Sequence, residues 1–118
     1  IRNLKNNFFS EFIGTFVLVF GVLFIAIPNI EIDSLEVSSF GLGALEALPV
    51  GILVWVIGLS LGGTTGYAIN PARDFGPRIV YQLIPRKNKD ADWSYAWIPI
   101  LGPFTGGGVA GFIYLLLV

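Results

Sequence analysis

The most constraining feature of this chain is its three long apolar windows. Residues 8–27 read FFSEFIGTFVLVFGVLFIAI, with Glu11 as the only charge. Residues 47–72 and 93–118 carry no charge at all. At 1.5 Å rise per residue, twenty helical residues span roughly 30 Å, the thickness of a bilayer's hydrocarbon core. Burying three such helices in a soluble protein needs a covering shell, and the 118 residues have none to spare. The reading is therefore a chain solvated by lipid. Composition agrees: 13% of residues are charged, against about 25% in a soluble domain.

The segments between the windows are polar. Residues 29–46 hold Glu31, Asp33, Glu36 and Glu46 and read as an extramembrane loop. Residues 86–92, RKNKDAD, read as a solvated turn, and Trp93, Tyr95 and Trp97 after it suit a headgroup boundary. The chain has no Cys and no His. That excludes disulfides, thiolate metal sites and His-based acid–base chemistry. The net charge of -1, without a basic stripe, gives no footprint for nucleic acid. Gly41-Leu42-Gly43 is too short for a dinucleotide fingerprint. No charged segment and cleavage site precede the first window, so a signal peptide is not expected.

The second window is too long and too broken for one simple helix. Gly58, Gly62, Gly63 and Gly66 weaken its second half, and Asn70-Pro71 halts it. Asn is a good N-cap, and Pro suits the first helical position, where its missing N–H costs nothing. A new helix from Pro71 to about Leu83 would be roughly 15 to 20 Å long, half a bilayer. The order is helix, irregular extended strand, Asn-Pro, half-helix. Irregular backbone at membrane depth survives only where protein buries it or it lines a wet cavity. The pattern predicts a re-entrant segment whose positive helix end faces a pore or substrate site; a plain extramembrane loop is the alternative.

The run GTTGYAINPARDFGPR, residues 63–78, resembles the second Asn-Pro-Ala repeat of the major intrinsic protein family, the aquaporins and glycerol facilitators. SEFIGTF at residues 10–16 is similar to the start of that family's fourth helix, and IPILGPFTGGGVAGF at residues 98–112 to its sixth. The resemblance implies an all-α membrane protein: an aquaporin-like half barrel of three transmembrane helices plus one re-entrant half-helix. Helices are expected at about 8–28, 47–62 and 94–118, with a cytoplasmic loop at 29–46 and the re-entrant segment at 63–83. Only one Asn-Pro-Ala motif occurs, whereas the family uses two inverted repeats to close one pore. The missing N-terminal repeat is expected ahead of Ile1. Basic residues occur at Arg2, Lys5, Arg86, Lys87 and Lys89, and none occurs in the acidic loop at 29–46. The positive-inside rule would put them in the cytoplasm; the family's topology implies the reverse, and an absent first half usually sets orientation.

Site roles follow from the resemblance. Asn70, Pro71 and Ala72 form the pore-facing cap, with the Asn70 amide donating to a passing solute. Arg73 lines the outer constriction, together with Tyr67 and Gly58. Water-selective members usually carry His where this chain has Gly58, which is expected to widen the opening. The carbonyls of Gly66, Tyr67, Ala68 and Ile69 supply acceptors along the pore, so each solute hydroxyl meets a donor and an acceptor. Glu11, an intramembrane acid, is expected to hold the re-entrant loop. Asp74, Arg78, Pro99 and Ile100 match positions that mark the glycerol-type branch. The glycine pairs 58/62, 62/66, 102/106 and 107/111 are expected to pack helices closely. The implied function is a passive channel for glycerol and similar small uncharged solutes, embedded in the cell membrane as a multi-pass protein. It is expected to be a homotetramer, with no cofactor, metal or catalytic residue. The rivals are a water-selective channel and half of a secondary transporter, in which only Glu11 and Asp74 would be available to a coupling ion.

Overall fold

The computed structural model describes residues 2–25 and 45–118. The expected acidic loop at 29–46 lies outside the described residues except for its last two positions, Leu45 and Glu46. Four helices follow in order: α1, Leu4–Phe24; α2, Ala47–Thr65; α3, Pro71–Leu83; and α4, Trp93–Leu117. Helices α1, α2 and α4, of 21, 19 and 25 residues, are each long and apolar enough to cross a membrane.

The ends of these helices have local causes. α1 starts a turn ahead of its apolar window because the Asn3 side chain caps it, accepting from the Asn6 N–H at 3.1 Å. α2 runs on past its first glycines to Thr65 and stops at Gly66, whose φ of 77° is left-handed. The Gly66 N–H donates back to the Gly62 carbonyl at 2.9 Å, the usual closure of a helix on a left-handed glycine. α3 opens on the Asn70-Pro71 pair, with the Asn70 side chain accepting from the Ala72 N–H at 2.9 Å. It closes at Leu83, just ahead of Ile84-Pro85, since a residue before proline is pushed out of the helical region.

The core lies where α1 meets α4. A Cβ on Gly106 would run into the Phe12 carbonyl oxygen, so the two backbones touch there. A Cβ on Gly102 would lie 2.7 Å from Glu11 Cβ. Ile98 and Ala110 on α4 are fully buried. The Phe8 and Trp97 rings stack at 5.7 Å, and Phe24 meets Tyr114 edge-on at 5.3 Å. α2 packs on α1 through Gly21, where a Cβ would meet Leu53 at 2.7 Å. Of the expected glycine pairs, 102/106 brings two helices together, 58/62 seats the Tyr67 ring instead of a helix, and Gly107 makes ordinary contact with Thr15 and Val19 of α1. A Cβ on Gly66 or Gly111 would meet nothing within 4 Å, and Gly66 acts instead as the left-handed cap. Most of α2 is uncovered, with Trp55 and Leu59 exposed to 66% and 72%. Such a surface is stable only against lipid or further protein.

Candidate functional site

The site is built on residues 66–70, between the end of α2 and the start of α3. The sequence pattern suggested extended backbone here. Instead Gly66, Tyr67 and Ile69 all take positive φ, at 77°, 42° and 41°. For the β-branched Ile69 this is a costly conformation, of order 1–3 kcal/mol. Two contacts impose it. The Ile69 side chain is 3% exposed, wedged where a Cβ on Gly14 would come within 2.8 Å of it. And Glu11, with no exposed surface, accepts from the Ala68 N–H at 2.9 Å and the Ile69 N–H at 2.6 Å. Hydrogen bonds to a charged acceptor are the strong kind, so this carboxylate outweighs the local strain.

The same two bonds orient acceptors. In a trans peptide the N–H and the preceding C=O point in opposite directions. All peptide bonds described here are trans. The carbonyls of Tyr67 and Ala68 therefore point away from Glu11 and α1. Gly66 is exposed and Ile69 buried, at the two ends of this short acceptor row.

Asn70 is exposed at the N-terminus of α3. Its side-chain oxygen is used in the cap, which leaves the amide nitrogen as the group presented beyond it. Pro71 and Ala72 follow in the first turn. Together with Phe75, Ile100 and Phe104 they line an apolar cleft of about 360 Å³. Pro99 is buried within α4.

Arg73 is exposed, and its guanidinium carbon lies 5.3 Å from the centre of the Tyr67 ring, in cation–π range. The same ring also covers Gly58 and Gly62. A Cβ on Gly58 would lie 3.0 Å from Tyr67 Cζ, and one on Gly62 2.7 Å from Cδ1. Gly58, Tyr67 and Arg73 are thus brought together. The space left by the missing Gly58 side chain is not an opening, however; it is filled by the Tyr67 ring.

Asp74 and Arg78 form a bidentate pair, with Nε and Nη2 of Arg78 donating to the two carboxylate oxygens at 2.7 Å each. Arg78 Nη1 also donates to the main-chain carbonyls of Ala91 and, at 2.9 Å, Asp92. Asp92 in turn accepts from both terminal nitrogens of Arg2, at 2.6 and 2.8 Å. The Arg2 guanidinium, and then the Ser94 hydroxyl, hold the Asp92 carboxyl below the usual carboxylate range. Asn7 is 3% exposed and donates to the Tyr95 hydroxyl at 2.9 Å. None of these ties was read from the sequence. Asn7 and Arg2 precede the first apolar window, and nothing in their spacing joins them to residues some ninety positions away.

The match to the family model for major intrinsic proteins covers residues 2–114. The chain belongs to the major intrinsic protein family. It is therefore part of a multi-pass membrane protein, and its helices are those of a family that builds channels. Among its curated relatives is glycerol uptake facilitator protein 3 of Lactiplantibacillus plantarum, 50% identical over 99% of this chain and 45% of the relative. A probable glycerol uptake facilitator protein of Thermotoga maritima is 48% identical over 97% of this chain and 44% of its own length. A D/L-lactic acid transporter of Lactiplantibacillus plantarum is 43% identical over 93% and 42%. The chain spans less than half the length of these relatives. No solved structure gives a significant match.

Proposed function

We propose that this chain is the half of a passive membrane channel that carries one wall of the pore, and that the full-length protein conducts glycerol and similar small uncharged solutes. The observation that carries this reading is the capped start of α3. Asn70 presents an amide donor at a positive helix end, directly after carbonyls turned outward by a buried glutamate. A hydroxyl passing such a wall meets a donor and an acceptor in succession, while the apolar cleft beside Pro71 and Ala72 suits CH groups. The positive helix end disfavours cations, so neutral solutes pass. Transport here is a matter of matched hydrogen bonds rather than of a covalent step.

In this reading Asn70, Pro71 and Ala72 face the solute at the midpoint, and Arg73 with Tyr67 narrows the path on one side. Gly58 seats the Tyr67 ring. Asp74, Arg78, Pro99 and Ile100 belong to the framework around α3. The missing repeat supplies the opposite wall, and the whole protein assembles as a homotetramer in the cell membrane. The uncovered apolar face of α2 is consistent with such neighbours. A coupled transporter is less well supported. Glu11 is occupied by two main-chain N–H groups and Asp74 by Arg78, so neither acid is poised for an ion.

The test is swelling of proteoliposomes holding the full-length protein, challenged with glycerol, with lactic acid and with an osmolyte that only water can follow. The reading predicts glycerol entry that does not saturate at physiological concentrations and needs no ion gradient. Water entry without glycerol entry would instead make the protein a water channel, and uptake that requires an ion gradient would make it a transporter.

A further inference from the structure

The half-helix α3 has no buried residue, and its polar face carries Arg73, Asp74 and Arg78. Within this chain, then, no buried apolar side chain of α3 anchors its 13 residues, and polar ties carry more of its placement. Its upstream end is pinned through Glu11. Along its flank, Phe75 meets Trp93 of α4 edge-on at 6.1 Å, and Arg78 makes the polar tie. The Arg78 side chain is 12% exposed and uses Nε, Nη1 and Nη2 on four acceptors: both oxygens of Asp74 and the carbonyls of Ala91 and Asp92. Those two carbonyls sit at the entry to α4, where Asp92 takes a left-handed φ of 45°. Asp92 is itself tied to Arg2 ahead of α1 and to Ser94 in α4. A cleft of about 340 Å³, lined by Arg73, Asp74, Arg78 and Asp92 together with Pro77 and Tyr81, lies over this junction.

We infer that Arg78 is a positioning residue for solute selection: with Asp74 as its anchor, it braces α3 against the start of α4 and so fixes where Arg73 stands. The inference rests on the channel reading above. Asp74 is the covalent neighbour of Arg73, and its carboxylate is locked by two of the four bonds. Freeing it lets the first turns of α3 shift relative to Tyr67, and the Arg73–Tyr67 contact loosens. The geometry also separates the brace from a simple ion pair. An arginine reaches the carboxylate and the two carbonyls at once because its donors form a rigid fork. Lysine, a point charge with no fork, keeps only part of this set. An exchange of the two residues keeps the pair of charges but leaves a carboxylate facing two carbonyls, with no donor between them.

The experiment uses the full-length protein in proteoliposomes, with R78Q, R78K, D74N and the double exchange D74R/R78D. Entry of glycerol and of a five-carbon polyol is measured for each, normalised to the inserted protein. The wild type is expected to discriminate between the two solutes. R78Q should lose roughly tenfold of that discrimination, about the worth of one charge-assisted hydrogen bond. R78K should recover part of it, D74N should resemble R78Q, and the exchange should not rescue. A variant that fails to insert is replaced by R78K, whose shift in solute ratio alone then decides. Discrimination unchanged in both R78Q and R78K, or restored by the exchange, overturns the brace. A wild type that passes no glycerol overturns the channel reading instead, so the two failures are distinct.

Discussion

Glu11 lies in the membrane part of α1 with no exposed surface, and it makes the same two bonds that a short strand would otherwise offer. Its acidity made it visible in the sequence, since a lone intramembrane acid is rarely without a partner. Its geometry was not visible, because the strained φ values at Tyr67 and Ile69 have no marker in residues that are not glycine. Glu11→Gln keeps one acceptor and replaces the other with a donor facing an N–H. The expected cost is about 1–3 kcal/mol of stability, with a drop in glycerol entry, measured by thermal unfolding in detergent and by liposome swelling. Stability and flux both equal to wild type would refute this role. Gly58 makes a second residue-level case. Since its Cβ position lies 3.0 Å from the Tyr67 ring, Gly58→His must displace that ring as well as add an imidazole. Glycerol entry should fall more than water entry. Gly58→His combined with Tyr67→Ala should recover part of the glycerol loss, and failure to recover any would mean that the ring is not what the histidine displaces.

At the scale of helices, the close approach of α1 and α4 was legible as a spacing of glycines but not as a particular contact. Gly102 and Gly106 meet α1, while Gly111 meets nothing, and the sequence treats the three alike. Only the three-dimensional pairing of Gly106 with the Phe12 carbonyl separates them. Gly106→Ala would force the two backbones apart and should destabilise the protein by about 1–3 kcal/mol, read as a lower unfolding temperature in detergent. Gly111→Ala is the control and should be neutral. The clasp of Arg2 on Asp92 is a different kind of tie, solvent-facing and so weak. The carboxyl's pKa is depressed in the folded chain, so its contribution is complete above the ordinary carboxylate range. It is lost as pH falls through the depressed value. Hydrogen-exchange protection at the start of α1, taken relative to the intrinsic rate at each pH, should therefore be constant from neutral to mildly acidic pH and fall only in strong acid. Asp92→Asn should lower it already at neutral pH; unchanged protection in that variant would show that the clasp does not hold the helix end.

For the whole molecule, the three spanning helices and the Asn-Pro break were readable because lipid imposes length and apolarity and proline imposes a stop. The ties across the turn at residues 84–92 were not, since each joins polar residues distant in sequence and no periodicity predicts such pairs. The chain spans less than half the length of its curated relatives; in the proposed channel its exposed acceptors and uncovered helices face the second repeat. The central claim is that the start of α3 faces a water-filled solute path inside the membrane. It is tested most directly by a single cysteine at Ala72 in an otherwise cysteine-free full-length protein, treated with a small, membrane-impermeant thiol reagent in proteoliposomes. The cysteine should be modified, glycerol should slow the modification, and glycerol entry should fall as labelling proceeds. A cysteine that reacts only with lipid-soluble reagents, with entry undisturbed, would contradict it.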